Sequence, residues 1–153
     1  MKLTHSIALL ASVAGAAALS GCATLEEAAA EVVAETSRAV LNGAEVVSSS
    51  GDRDGYARAD LTVSDELNQV CYDLNDVRNL APITSVTINR GPRGRTGPAV
   101  LRLQQANEGG FKNCVARSEF LEDRFERSPG AYYIQVSTTE FPNGAIRGQF
   151  IYD

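Results

Sequence analysis

Tyr56-Ala57-Arg58-Ala59-Asp60-Leu61-Thr62-Val63 decides the fold class, because Ala57, Ala59, Leu61 and Val63 alternate with Tyr56, Arg58, Asp60 and Thr62. A period of two sends successive side chains to opposite faces of a strand, here one apolar and one polar. Working outward, the alternation recurs. Val70, Tyr72 and Leu74 alternate around Cys71, Val86 and Ile88 lie between Ser85, Thr87 and Asn89, and Leu101 and Leu103 flank Arg102. Toward the end, Ile134 and Val136 alternate with Gln135 and Ser137, and Ile146, Phe150 and Tyr152 are set opposite Arg147, Gln149 and Ile151. Regular short strands between Gly/Pro turns predict an all-β sandwich or barrel.

One stretch breaks the period. Ser118 can cap a short helix over Glu119 to Arg127 that carries Phe120, Leu121 and Phe125, with Arg124 and Arg127 near its end and Ser128-Pro129-Gly130 to stop it. One short crossover helix between strands is therefore expected. Upstream, Ser48-Ser49-Ser50-Gly51-Asp52-Arg53-Asp54-Gly55 is a cluster of turn formers joining two extended segments of one domain. Before it, Ala23 to about Arg38 is rich in Ala and Glu, with Leu25, Ala29, Val32, Thr36 and Val40 at roughly helical spacing, and it reads as a charged spacer with a weak helical face, the alternative being an amphipathic stalk that packs on the domain or a partner.

The chain opens with Lys2 and a short apolar run from Ile7 to Leu19, too brief to span a bilayer comfortably, which reads as a secretory leader. Leu19-Ser20-Gly21-Cys22 resembles the lipobox of bacterial lipoproteins. That resemblance implies cleavage after Gly21, acylation of Cys22, and, with Ala23 following, a place in the bacterial envelope at the outer membrane, on its periplasmic or surface face. The expected organisation is a leader at 1–21, a tether at 22–38 and a domain at 39–153. With Cys22 acylated, Cys71 and Cys114 remain, and an oxidising compartment allows them to pair. A loop of that length would contribute about 4 kcal/mol by restricting the unfolded chain.

Composition narrows the chemistry. The only histidine, His5, lies in the leader, so no imidazole remains for a Ser-His-Asp or Cys-His arrangement. The net charge of -5 argues against a nucleic-acid partner. Asp73 with Asp76, and Glu122 with Asp123, are the paired carboxylates; turns and helix faces usually carry such pairs as solvated groups. The glycine-rich run from Gly91 to Gly97 lacks the Lys and Ser/Thr of a phosphate loop and reads as a long hairpin turn. It carries Arg90, Arg93 and Arg95, a candidate contact for an anionic envelope component.

Several motifs occur together in a fixed order: Leu41-Asn42-Gly43-Ala44-Glu45-Val46, Gly51-Asp52-Arg53-Asp54-Gly55, Cys71-Tyr72-Asp73-Leu74, Arg90-Gly91-Pro92-Arg93-Gly94, Gly97-Pro98, Ala131-Tyr132-Tyr133 and Pro142-Asn143-Gly144-Ala145-Ile146-Arg147-Gly148-Gln149-Phe150. From about Ala39 to Asp153 the chain resembles the CHRD domain. The resemblance implies a Greek-key β-sandwich or barrel, superoxide-dismutase-like or immunoglobulin-like. Such domains commonly read H-I-H-R-G-P where this chain has Thr87-Ile88-Asn89-Arg90-Gly91-Pro92, and V-H-T where it has Val136-Ser137-Thr138. Thr87, Asn89 and Ser137 offer hydroxyl and amide groups, poor ligands for copper or zinc, and a network bridging two strands is expected of them. Arg147 is expected to hold a structural carboxylate or carbonyl.

These readings lead to a lipid-anchored, non-catalytic binding or structural module without a cofactor. Its expected partners are membrane lipid, through the acylated N-terminus, and an unidentified envelope protein or polysaccharide. The competing reading is a divergent copper- or zinc-binding redox protein on a dismutase-like scaffold.

Overall fold

The alternating segments pair into antiparallel strands in a computed structural model that describes residues 35–47, 49–64, 66–107, 109–116 and 125–152. The strands are β1 (Glu35–Asn42), β2 (Tyr56–Ser64), β3 (Gln69–Arg78), β4 (Ile83–Arg90), β5 (Ala99–Arg102), β6 (Phe111–Ala116), β7 (Tyr132–Thr138), β8 (Ile146–Gln149) and β9 (Ile151–Tyr152). Their order across one curled sheet is β5-β4-β7-β8-β1-β2-β3-β6, with β9 added on β1. The immunoglobulin alternative places the first, second, fifth and fourth strands side by side in one sheet. Here the neighbours are the first, second, third and sixth, so that alternative is not the arrangement found.

Two four-strand halves meet at β8 and β1, where Asn42 pairs with Arg147. Gly148 permits the approach: a Cβ there would lie 2.5 Å from the Val40 carbonyl oxygen. The half made of β1, β2, β3 and β6 follows the period-two rule closely. Ala39 and Leu41, then Ala57, Ala59, Leu61 and Val63, then Val70, Tyr72 and Leu74 are all buried. Val86, Ile88, Ile134, Val136 and Ile146 face them from the other half. At one end Phe125 packs against Tyr132 and Phe150, with ring centroids 5.3 Å apart in each pair. Across the curl, the Tyr72 hydroxyl accepts from the Gln104 N–H at 2.9 Å and donates to the Gln104 carbonyl at 3.2 Å, tying β3 to the segment that follows β5.

Cys71 and Cys114 are bonded, as the sequence suggests, and they sit directly opposite each other on β3 and β6. The covalent link thus staples an edge strand whose own residues are mostly exposed. Three expectations need correction or limits. β1 takes in Glu35 to Arg38, which the sequence grouping gives to the tether, because Ser37, Ala39 and Leu41 bury a common face against β2. Glu119 to Arg124 and the capping Ser118 lie outside the described residues, while Phe125 to Arg127 form a turn before a 3₁₀ segment at Pro129–Ala131; no α-helix occurs among the described residues. The leader, Cys22 and the tether as far as residue 34 also lie outside them.

Candidate functional site

The three positions singled out in the sequence lie on the outer face of β4 and β7. In that pair Ser85 stands opposite Ser137, Thr87 opposite Gln135, and Asn89 opposite Tyr133. Directly opposed residues share a face, so Thr87, Asn89 and Ser137 face the same way. Their hydrogen bonding differs from expectation. Asn89 Nδ2 donates to the Thr87 carbonyl at 3.1 Å and to Thr87 Oγ1 at 3.0 Å, so this link runs along β4 and does not bridge to β7. Ser137 is set against Ser85 by the register, one pair further along the ladder.

The same face continues onto β8, where Arg147 stands opposite Gln135 and Gln149 opposite Tyr133. Neither is a surface residue: Arg147 is 1% exposed and Gln149 8%. What buries them is the hairpin between β4 and β5, residues 91–98, as their bonds to it indicate. Gln149 Nε2 donates to the carbonyls of Gly91 (2.9 Å), Gly130 (2.8 Å) and Tyr132 (2.9 Å). Arg147 Nη2 donates to the Pro92 carbonyl at 3.2 Å, the carbonyl partner expected of it. The Tyr133 hydroxyl accepts from the Gly97 N–H at 3.1 Å and donates to the Gly97 carbonyl at 3.3 Å. The Gly91 N–H reaches the Ala131 carbonyl at 2.8 Å. Gly97 is required for the narrow stem, because a Cβ there would stand 1.7 Å from the Arg90 carbonyl oxygen.

The electrostatics follow from that cover. The Arg147 guanidinium lies 3.5 Å from the centroid of the Tyr133 ring, a cation over an aromatic face. Burial pulls its pKa below the usual arginine value, with Tyr133 and Glu45 opposing the shift and Arg93 reinforcing it. An arginine nonetheless stays protonated, so this is a lasting buried positive charge. Above it, Arg93 Nη1 pairs with Glu45 and joins the hairpin to the loop after β1. Arg93 and Arg95 on the hairpin and Arg90 at the end of β4 are all exposed.

Chemically, the arrangement holds a loop through neutral donors and one buried cation. Among the described residues no group of three or more His, Cys, Asp or Glu could hold a metal ion. Two open hollows lie elsewhere, one of about 290 Å³ beside the disulfide and the Lys112–Asp73 pair, and one of about 560 Å³ lined by Asn42, Gly43, Ser49 and Arg53. Gln149 and Tyr133 are the members of the covered site that sequence reasoning passed over. The signal for Gln149 was its place in Arg147-Gly148-Gln149, where a glycine lets the strand pack closely and makes burial of both flanking side chains plausible.

No helix among the described residues is long and apolar enough to cross a membrane. Set against protein-family models, residues 37–150 match the CHRD domain. Comparisons with curated proteins and with solved structures give no match.

Proposed function

This chain belongs to the CHRD domain family, and from that premise we propose that it is a non-catalytic binding or structural module, held in the bacterial envelope by an acylated Cys22. The observation that carries the non-catalytic reading is the state of the three outer-face positions. The Asn89 amide nitrogen donates to the Thr87 hydroxyl oxygen and carbonyl, and Ser137 stands opposite another serine. Hydroxyl and amide groups bind copper or zinc far less well than imidazole. The Greek-key reading of the superoxide-dismutase-like kind draws support from the strand order, in which the connections from β3 to β4 and from β5 to β6 each pass between the two halves. A shared architecture is a statement about fold and leaves activity to the site.

Metal analysis of the purified protein, with a dismutase assay after copper loading, tests the reading. The expected result is no stoichiometric copper or zinc and no activity above free copper; a bound equivalent with turnover would overturn it. The anchor rests on the leader and on Leu19-Ser20-Gly21-Cys22. Palmitate labelling that disappears in Cys22→Ala supports it, and unchanged labelling refutes it. For a partner, the exposed hairpin offers Arg90 and Arg95, with Arg93 already shared with Glu45. Replacing the three arginines with serine should weaken retention on vesicles carrying anionic envelope lipid, and equal retention would remove the hairpin from the binding surface.

A further inference from the structure

Two buried polar atoms under the 91–98 hairpin have no hydrogen-bond partner among the described residues: Arg147 Nη1, a donor, and Gln149 Oε1, an acceptor. The orientation of the Gln149 amide is fixed by chemistry. Its other terminal atom faces three backbone carbonyls, which only an N–H₂ group can satisfy, so the orphan must be the oxygen. Leaving either atom dry costs the full desolvation of that group, and native interiors rarely do so.

Arg147 and Gln149 are alternate residues of β8, pointing to one face, with Cα atoms about 7 Å apart at the strand rise. Their side chains end at adjacent residues of the hairpin, Arg147 at the Pro92 carbonyl and Gln149 at the Gly91 carbonyl, which puts the two orphan atoms in reach of one shared oxygen. The species at the shared position must accept from a guanidinium N–H and donate to an amide oxygen. A fully deprotonated anion cannot donate and a metal cation cannot accept, and a protonated oxyanion, which does both, is separated from water by the response to inorganic phosphate. A hydroxyl oxygen does both.

We propose that Arg147 Nη1 and Gln149 Oε1 form a one-oxygen hydroxyl site occupied by an internal water, sealed under the hairpin. The water completes the bonding of the two side chains that hold Gly91 and Pro92, so it belongs to the mechanism that fixes the hairpin on the sheet. It also makes Arg147 a poor anion receptor, since an anion there would meet the Gln149 oxygen. Anion binding, where the hairpin has it, is left to the exposed arginines.

The test is heteronuclear NMR of the full chain, reading magnetisation transfer from water to the Arg147 guanidinium protons and the Gln149 Nε2 protons, together with oxygen-17 relaxation dispersion for long-lived internal water. A direct water contact at both side chains, with Arg147 shifts unmoved by inorganic phosphate at concentrations that move Arg95, is the expected result. Arg147→Lys should lose the contact while the Gly97 amide stays protected. Absence of the water contact in the unmodified chain overturns the proposal, as does a phosphate-dependent shift at Arg147. The wild-type measurements decide the matter even where the variant folds poorly.

Discussion

The two halves of the sheet solve the same packing problem with different surfaces. Along β1, β2 and most of β3 every second residue is in the core and the others, with the edge strand β6, face outward, where charges pair loosely: Arg38 with Asp60 at 3.2 Å, Lys112 with Asp73 at 2.8 Å. In β7 only Gln135 escapes full burial, and all of β8 is buried, because the hairpin after β4 lies on the outer face. The wet half is stabilised by its apolar face and one covalent staple. The covered half must instead satisfy buried polar groups one by one, with Gln149, Tyr133 and Arg147 bonded to hairpin backbone. Polar side chains on the first face are solvated options; on the second they are structural requirements.

Three substitutions would break or sharpen this contrast, the largest first. Replacing Cys71 and Cys114 together with alanine should lower unfolding free energy by about 4 kcal/mol, from a loop of 43 residues in sequence separation. Denaturant titration checks it, and the loss should match that of the wild type under reductant. Gln149→Leu, in the covered half, should cost roughly 3 kcal/mol, because the Gly91 and Gly130 carbonyls lose their side-chain donor under the hairpin, while the Tyr132 carbonyl keeps the Phe150 N–H. Hydrogen exchange should then quicken at Gly91 and Gly97 well before the β2 amides respond; uniform quickening would deny the hairpin its separate attachment. Arg38→Ala, in the wet half, should change stability by less than about 1 kcal/mol, and by less still at high salt. A cost comparable to that of Gln149→Leu would erase the distinction between the faces.

The inward faces of most strands in both halves were legible in the sequence and the cover over the second half was not, for one physical reason. Alternation reports the polarity of the two faces of a strand, and it is informative only where polarity tracks exposure. Ala57, Ala59, Leu61 and Val63 obey that link, as do Val70, Tyr72 and Leu74, so β2 and β3 were found with the correct inward face. Arg147 and Gln149 obey the alternation too, yet the face they define is capped by a hairpin more than forty residues earlier in the chain, which no local pattern records. The Ala/Glu-rich stretch leans toward helix at its end, but Glu35–Asn42 gains a full ladder with β2, including the Thr36–Thr62 hydroxyl bond at 3.0 Å. Tertiary pairing overrides weak local propensity. Phe125, which the sequence places at the end of a short helix, lies in a turn and is buried against Tyr132 and Phe150.

By itself the sequence determined the predominantly β class, the inward residues of most strands, the partnership of Cys71 with Cys114 and the absence of histidine after His5. These depend on side-chain type and short-range period, which a chain carries in every conformation. Only the tertiary structure decided that the 91–98 hairpin folds over β7 and β8, that Asn89 turns to Thr87 on its own strand, and that Arg147 Nη1 and Gln149 Oε1 are buried without a hydrogen-bond partner. Those outcomes depend on which distant segment excludes water from a face, and water exclusion is a property of the assembled sheet.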